Sequence, residues 1–292
     1  MNHQRQTRNT IAVRTLAFAC AALAVFGVYV LWRFFVATEQ GQHIEEAALS
    51  GSLYGKTKLW TIAEPILDGV SIAYVGLSLI AVVAISLLRK RWVLAVQVVT
   101  VIVGANITTQ ILKKFVFDRP DFDVAWGPTN TLPSGHTTVA AATSLALLLA
   151  VPRKWRPFVA VLGAGYTAAM GVSTLVGQWH RPSDVYAAIL VAAAWAAFVS
   201  AFSTNSAHDP KSHSTTTWTV TTCIMLTLVT IMCALTAFWF LRDAFMYWDT
   251  AVIAESKTEK NAYIGSVFAV GAISAIVFGA TLAIRQSVTR TH

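Results

Sequence analysis

Three short clusters of polar residues hold the groups that could do chemistry. They are Lys113-Lys114 followed by Arg119-Pro120, then Pro133-Ser134-Gly135-His136, then Ser173-Thr174 with His180 and Asp184. Lysine and arginine attract oxyanions, and the planar fork of Arg119 matches two phosphate oxygens at once, presented by a chain that Pro120 stiffens. Lys113 and Lys114 read either as this clamp or as side chains snorkelling to lipid headgroups. His180 and Asp184 stand four residues apart. If Pro182 opens a helix, Asp184 lies in its first turn and can accept a hydrogen bond from the imidazole. That fixes the tautomer and leaves the other ring nitrogen as a nucleophile. In the middle cluster Pro133 fixes a turn, Gly135 permits close approach of backbone to a ligand, and Ser134 can cap a helix starting near Thr137. The free N–H groups at that helix start favour an anion, and His136 beside them could protonate a leaving oxygen. The chemistry these residues suit is the holding and cleaving of a phosphate ester.

The elements that must position them are apolar. Mean hydropathy is +0.59 and only 12% of the 292 residues are charged, which marks an integral membrane protein. About 20 apolar residues cross the hydrocarbon core. Eight stretches qualify, at 14–37, 69–88, 93–115, 137–152, 157–176, 184–203, 217–241 and 262–284, the fourth being the shortest. The expected fold is therefore an all-α polytopic membrane protein. A net charge of +8 could suggest a nucleic-acid partner, but the basic residues form short clusters between spans instead of one stripe. Arg5, Arg8 and Arg14, Arg89-Lys90-Arg91, Arg153-Lys154 with Arg156, Lys211 and Arg285 recur at every second loop or end. By the positive-inside rule both termini are cytoplasmic and the three clusters face the other side. Of the acidic residues only Asp209 falls on the basic side. Cys20, Cys223 and Cys233 lie inside expected spans and imply no disulfide framework. The first span is too long and too fully apolar for a signal peptide and is expected to stay uncleaved.

Between the spans, Thr38 to Asp68 reads as an outer loop whose Glu39, His43, Glu45, Glu46 and Glu64 face water, with a metal site as the less favoured reading. Its mildly amphipathic stretch from Trp60 to Leu67 suits a cover lying along the membrane surface. Asn106, Thr108, Thr109 and Gln110 are expected to glue helices together, and the small residues Gly163, Ala164, Gly165, Ala168, Ala169 and Gly171 to let backbones pack closely. Asp118, Asp121 and Asp123 could coordinate Mg2+ in a metal-dependent lipid transferase, although the longer pattern of such enzymes is missing. Composition turns polar at 204–216, where His208, Asp209 and His213 read as parts of a flexible connector. This divides the chain into a six-span core (1–203), a cytoplasmic linker (204–216) and a two-span C-terminal hairpin (217–292). Arg242 to Lys260 is expected to be a solvated connection.

The three clusters resemble the motifs of the type-2 phosphatidic acid phosphatase and vanadium haloperoxidase superfamily, Lys-x6-Arg-Pro, Pro-Ser-Gly-His and Ser-Arg-x5-His-x3-Asp, over about residues 100–200. The resemblance implies that His180 attacks phosphorus to give a phosphohistidine, that Asp184 orients it, and that His136 protonates the leaving group and later activates water. Lys113 or Lys114, Arg119, Ser134 and the Gly135 backbone would hold the phosphate oxygens as charge builds. It further implies no cofactor or metal, and a lipid phosphate substrate in the bilayer such as phosphatidate, phosphatidylglycerophosphate or a polyprenyl pyrophosphate. Two positions depart from the pattern. Strict spacing puts the lysine at Leu112, so Lys113 is one residue short and Lys114 two; an alternative alignment, to members with tandem Arg-Pro, sets Asp121 where an arginine belongs. Thr174 stands where the family has arginine, and Arg181 beside the nucleophile is the candidate to supply the missing charge. The expected function is a membrane lipid phosphatase. The alternatives are a phosphotransferase to a lipid or sugar acceptor, and a catalytically weakened protein that binds or transports lipid phosphates. The haloperoxidase reading is poor, because those relatives are soluble.

Overall fold

The computed structural model describes residues 2–68, 72–124, 129–202 and 214–287, and among these it is helical with no strand. The helices are α1 (Asn2–Leu31), α2 (Glu39–Ser52), α3 (Lys56–Asp68), α4 (Ile72–Leu88), α5 (Trp92–Ile111), α6 (Gly135–Ala150), α7 (Arg156–Val176), α8 (Pro182–Ala201), α9 (Ser214–Met246) and α10 (Ser256–Ser287). Single π-helical turns, Trp32–Val36 and Leu112–Val116, continue α1 and α5. Six stretches among the described residues are long and apolar enough to cross a membrane: Ile11–Val36, Trp92–Val116, Arg153–Val176, Pro182–Ala201, Thr217–Met246 and Ser256–Ser287. The chain is an all-α polytopic membrane protein.

The other two expected spans are shorter. α4 has 17 residues, and the first residues expected for it, 69–71, lie outside the described ones. α6 has only 16 residues, for a physical reason: it is the buried axis of the bundle, packed against α5, α7 and α8, and almost every side chain from Thr137 to Ala150 is buried. A helix walled in by protein need not match the bilayer, since its backbone bonds are internal and its end groups can be satisfied by protein. At its start Ser134 caps it, accepting the Thr137 N–H. At its far end the last carbonyls receive guanidinium N–H groups, Arg285 on Leu149 at 3.3 Å and Arg89 on Ala150.

Of the small residues expected to let helices pack closely, Gly163 and Gly171 do so, whereas a Cβ on Gly165 would meet nothing within 4 Å. A Cβ on Gly163 would lie 2.5 Å from the Phe278 ring, and one on Gly171 2.5 Å from Val185. Two of the four polar residues expected to join helices do so: Thr108 accepts the Trp195 indole N–H at 3.0 Å, and Thr109 shares a 2.9 Å hydroxyl pair with Thr138 of α6, whereas Asn106 donates back to the Ile102 carbonyl of its own helix at 2.8 Å and Gln110 is exposed. α10 packs on α2, α7 and α8, and its Val270, Phe278 and Leu282 belong to the main core, while α9 lies along α10. The Tyr186 hydroxyl of α8 donates to the Ser266 carbonyl of α10 at 3.1 Å. Residues 204–213 of the expected linker lie outside the described residues, and 214–216 begin α9.

Two expectations are corrected. Thr38 to Asp68 is not a water-facing loop but the helix pair α2 and α3. Thr38 caps α2 by accepting the Gly41 N–H at 3.1 Å, and the side Gly41, Ile44, Glu45, Ala48, Ser52 is buried. The last outer connection is also shorter than expected, because α9 runs to Met246 and α10 begins at Ser256.

Candidate active site

The site forms where the N-termini of α6 and α8 meet the segments 117–124 and 129–134. Pro182 opens α8, so Asp184 falls in its first turn as the sequence predicted. One carboxylate oxygen, Oδ2, receives three donors: the His180 ring through Nδ1 at 3.0 Å, the Arg181 backbone N–H at 3.0 Å and the Thr131 hydroxyl at 2.6 Å. An ionised carboxylate only accepts, so the His180 proton sits on Nδ1 and Nε2 keeps its lone pair. Asp184 is 1% exposed and His180 9%. The pair is therefore fixed, with one nitrogen presented for chemistry.

The middle cluster joins the same centre through its backbone. The Ser134 N–H donates to the Asp184 carbonyl at 2.9 Å, locking the start of α6 to the start of α8. Leu132–Pro133 is a cis peptide. A Cβ on Gly135 would meet nothing within 4 Å, so the first turn of α6 opens onto free space there. A ligand oxygen can approach that face of the backbone closely, with the helix dipole in its favour. His136 is half-buried, within electrostatic reach of His180 and Lys113, and its ring centroid lies 5.3 Å from that of Trp179. Trp60 of α3 approaches Trp179 at 6.4 Å, which brings α3 to the His136 side of the site.

The cations separate into near and far. Lys113 is half-buried and lies within electrostatic reach of Asp184, whereas Lys114 is exposed. Both lysines lie on the π-helical turn Leu112–Val116 that continues α5. Asn130 braces the turn by donating to the Phe117 carbonyl at 2.9 Å and the Lys113 carbonyl at 3.3 Å. Arg119 is buried, and its Nε and Nη2 have no hydrogen-bond partner among the described residues. Burial, then the neighbouring Arg181, pushes its guanidinium down from its ordinary value, while Glu45, Asp184 and Glu46 oppose this. Arg181 is buried too, and its Nη1 donates to the Thr131 hydroxyl at 3.1 Å and the Thr129 carbonyl at 3.4 Å. Thr174, fully buried, returns its hydroxyl to the Gly171 carbonyl at 2.7 Å.

Sequence reasoning missed Thr131 and Asn130 and, with most consequence, Glu45. Glu45 of α2, expected in water, is 1% exposed; its Oε2 lies 3.8 Å from Arg119 Nη1, and its Oε1 accepts the Ser183 N–H at 3.0 Å. Its carboxyl is pushed up to about 7, by burial first and the Asp184 charge second, against the Ser183 hydrogen bond, Arg181 and Arg119. The clue lay in α2 itself, whose small and apolar residues recur at helical spacing around Glu45. Asp118, Asp121 and Asp123 are exposed, and Asp121 accepts the Asp123 backbone N–H at 3.1 Å in a local turn. Among the described residues no three His, Cys, Asp or Glu side chains gather as a metal site.

Against known proteins, residues 94–208 match the family model described as the PAP2 superfamily. A search of curated proteins and one of solved structures return no match. The matched segment covers α5 to α8 and so contains His136, His180, Asp184 and Arg119, but not Glu45. The match supports a phosphatase-type enzyme acting on phosphate esters.

Proposed function

We propose, on the premise that the chain belongs through residues 94–208 to the PAP2 superfamily, that it is a membrane lipid phosphatase working through a phosphohistidine. One observation carries the reading: the Asp184-bound imidazole of His180, its Nε2 unengaged, stands in the same centre as the buried guanidinium of Arg119, which has donors to spare.

In this reading Arg119, Lys113, the Ser134 and Gly135 turn and the N-terminus of α6 hold the phosphate oxygens, with Lys114 at the rim. Arg181 holds the 129–131 segment and adds positive charge where Thr174 offers none. His180 Nε2 attacks phosphorus; the P–N bond forms as the P–O bond to the leaving group breaks, and His136 gives that oxygen its proton. His136 then takes a proton from water, whose oxygen attacks phosphorus and frees His180. Both displacements gain from donors fixed before charge develops. No step needs a metal ion.

A lipid substrate is favoured by a groove of about 500 Å3 among α1, α5 and α8, lined almost wholly by apolar groups that include Val25, Tyr29, Trp195, Leu112 and Phe117. Leu112 and Phe117 bound the turn that carries Lys113, so a hydrocarbon tail in the groove sets its headgroup at the phosphate site. Phosphatidate, phosphatidylglycerophosphate and polyprenyl pyrophosphate all fit that description. With the basic ends cytoplasmic, the site faces away from the cytoplasm in a cell membrane, and the last two helices shape the site's surroundings through α10.

The test is phosphate release by purified protein in detergent with EDTA, on phosphatidate and on a polyprenyl pyrophosphate, for wild type and His180→Ala. Release that survives EDTA and vanishes in the variant is expected. Binding without release from either lipid favours instead a catalytically weakened lipid-phosphate binder, the reading that Thr174 raises.

A further inference from the structure

α2 lies outside the matched segment, yet it supplies two side chains to the phosphate site. Gln42, 2% exposed, donates through Nε2 to the Val36 carbonyl at 2.8 Å and the Pro120 carbonyl at 2.9 Å, fastening α2 to the peptide after Arg119. Almost one turn on stands Glu45. Its Oε1 is committed to the Ser183 N–H, at the start of the helix that carries Asp184. Its Oε2, buried, has no hydrogen-bond partner among the described residues and faces Arg119 Nη1 at 3.8 Å. That distance is an ion pair without a hydrogen bond, so Arg119 is held by charge alone and can turn its donors to another oxyanion.

The charged and titratable groups around Glu45 are few. Arg119 faces it from the segment 117–124, Arg181 from the N-cap of α8, and Asp184 and the Tyr186 hydroxyl from α8 itself. Glu46 is its neighbour on α2 and is itself faced by His43 and, from α10, by Glu259. A phosphate dianion arriving at Arg119 adds negative charge beside two buried carboxylates. Asp184 is held by three hydrogen bonds, one from the His180 ring; Glu45 has one, and a bare oxygen. Relief by protonation falls on Glu45.

We propose that Glu45 is a positioning residue for Arg119 that takes a proton from solvent onto Oε2 when phosphate binds, giving up its hold on the guanidinium to the phosphate. The inference rests on the phosphatase reading above. The carboxyl of Glu45, already pushed up to about 7 by burial first and the Asp184 charge second, rises further when phosphate brings its charge beside it. Below that pH it is protonated before phosphate arrives and no uptake occurs. Above it each phosphate bound takes up one proton, so affinity falls with rising pH, by up to about tenfold per unit.

Orthophosphate is titrated calorimetrically into purified protein in detergent at pH 8, in two buffers of different ionisation enthalpy, which gives the protons taken up per phosphate. Wild type is expected to take up up to one proton more than Glu45→Gln, whose amide oxygen still accepts the Ser183 N–H. The ratio of wild-type to variant Kd should climb by up to about tenfold per pH unit above neutrality, the titration of phosphate itself cancelling in the ratio. Equal proton counts and a flat ratio overturn the proposal. Should Glu45→Gln fail to fold, sulfate, which does not titrate in this range, is bound to wild type alone: uptake of a proton supports the proposal and its absence overturns it. Phosphate release from lipid by the same wild-type sample separates the two readings. Release with equal proton counts sinks the role of Glu45 alone; neither release nor orthophosphate binding sinks both.

Discussion

In the proposed reaction the reactivity of His180 depends on which ring nitrogen carries the proton, and Asp184 offers an oxygen to Nδ1. Asp184→Asn keeps the shape but can turn an amide N–H toward Nδ1, which favours the wrong tautomer. Its kcat should fall by roughly 10^3-fold or more with little change in KM; a loss confined to KM would contradict the orienting role. Arg181 works one step back, holding Thr131, whose hydroxyl donates to the same Asp184 oxygen. Arg181→Ala should lower kcat/KM by roughly 10–100-fold, the worth of a charge-assisted hydrogen bond. Arg242→Ala, at a half-exposed outer position over Trp239, serves as the control, and equal effects would refute the assignment. His180, Asp184 and the Ser134 cap were legible in the sequence because a four-residue spacing and an N-cap are local geometry. Glu45, Thr131 and Asn130 were not, since their roles come from contacts made by residues distant along the chain.

Among the elements, α2 has most consequence for its length. It is pressed against α10 with Gly51 at the contact, where an added Cβ would lie 2.0 Å from the Glu259 carbonyl oxygen. Backbone cannot yield as a side-chain tip does, so Gly51→Ala must push α2 away, at a cost of about 1–3 kcal/mol. Lower Tm in detergent and a raised KM should appear together, because Glu45 and Gln42 move with the helix; an unchanged Tm would show that the contact is not tight. Hydropathy located the long spans because length and apolarity are additive along a helix. It passed over α2 and α3, whose charges resemble a solvated loop until a partner such as Arg119 is known. It also placed the ends of α9 and α10 too early, since polar residues there continue the helices beyond the apolar stretch.

Across the whole molecule, charge is divided along the axis of α6. The residues proposed to hold phosphate cluster at its N-terminus, while Arg89 and Arg285 cap its last carbonyls and Arg156 bonds to the Arg285 carbonyl at 3.2 Å. That the end with Arg89, Arg156 and Arg285 is cytoplasmic is the proposal drawn from the positive-inside rule. In right-side-out cells or vesicles, Asp121→Cys should react with a membrane-impermeant maleimide and Lys154→Cys only after permeabilisation; both positions are exposed. The reverse pattern would turn the site toward the cytoplasm. The proposed step that ties these observations together is transfer of the phosphoryl group to His180. The most direct measurement is therefore rapid mixing of wild type with a lipid phosphate, an alkaline quench that spares a P–N bond, and mass spectrometry of the peptide containing residue 180. A phosphoryl group on His180, absent from His180→Ala and accumulating when His136→Ala slows its hydrolysis, is the predicted result. Steady turnover with His180 unmodified at every time point, or undiminished turnover in His180→Ala, would contradict it.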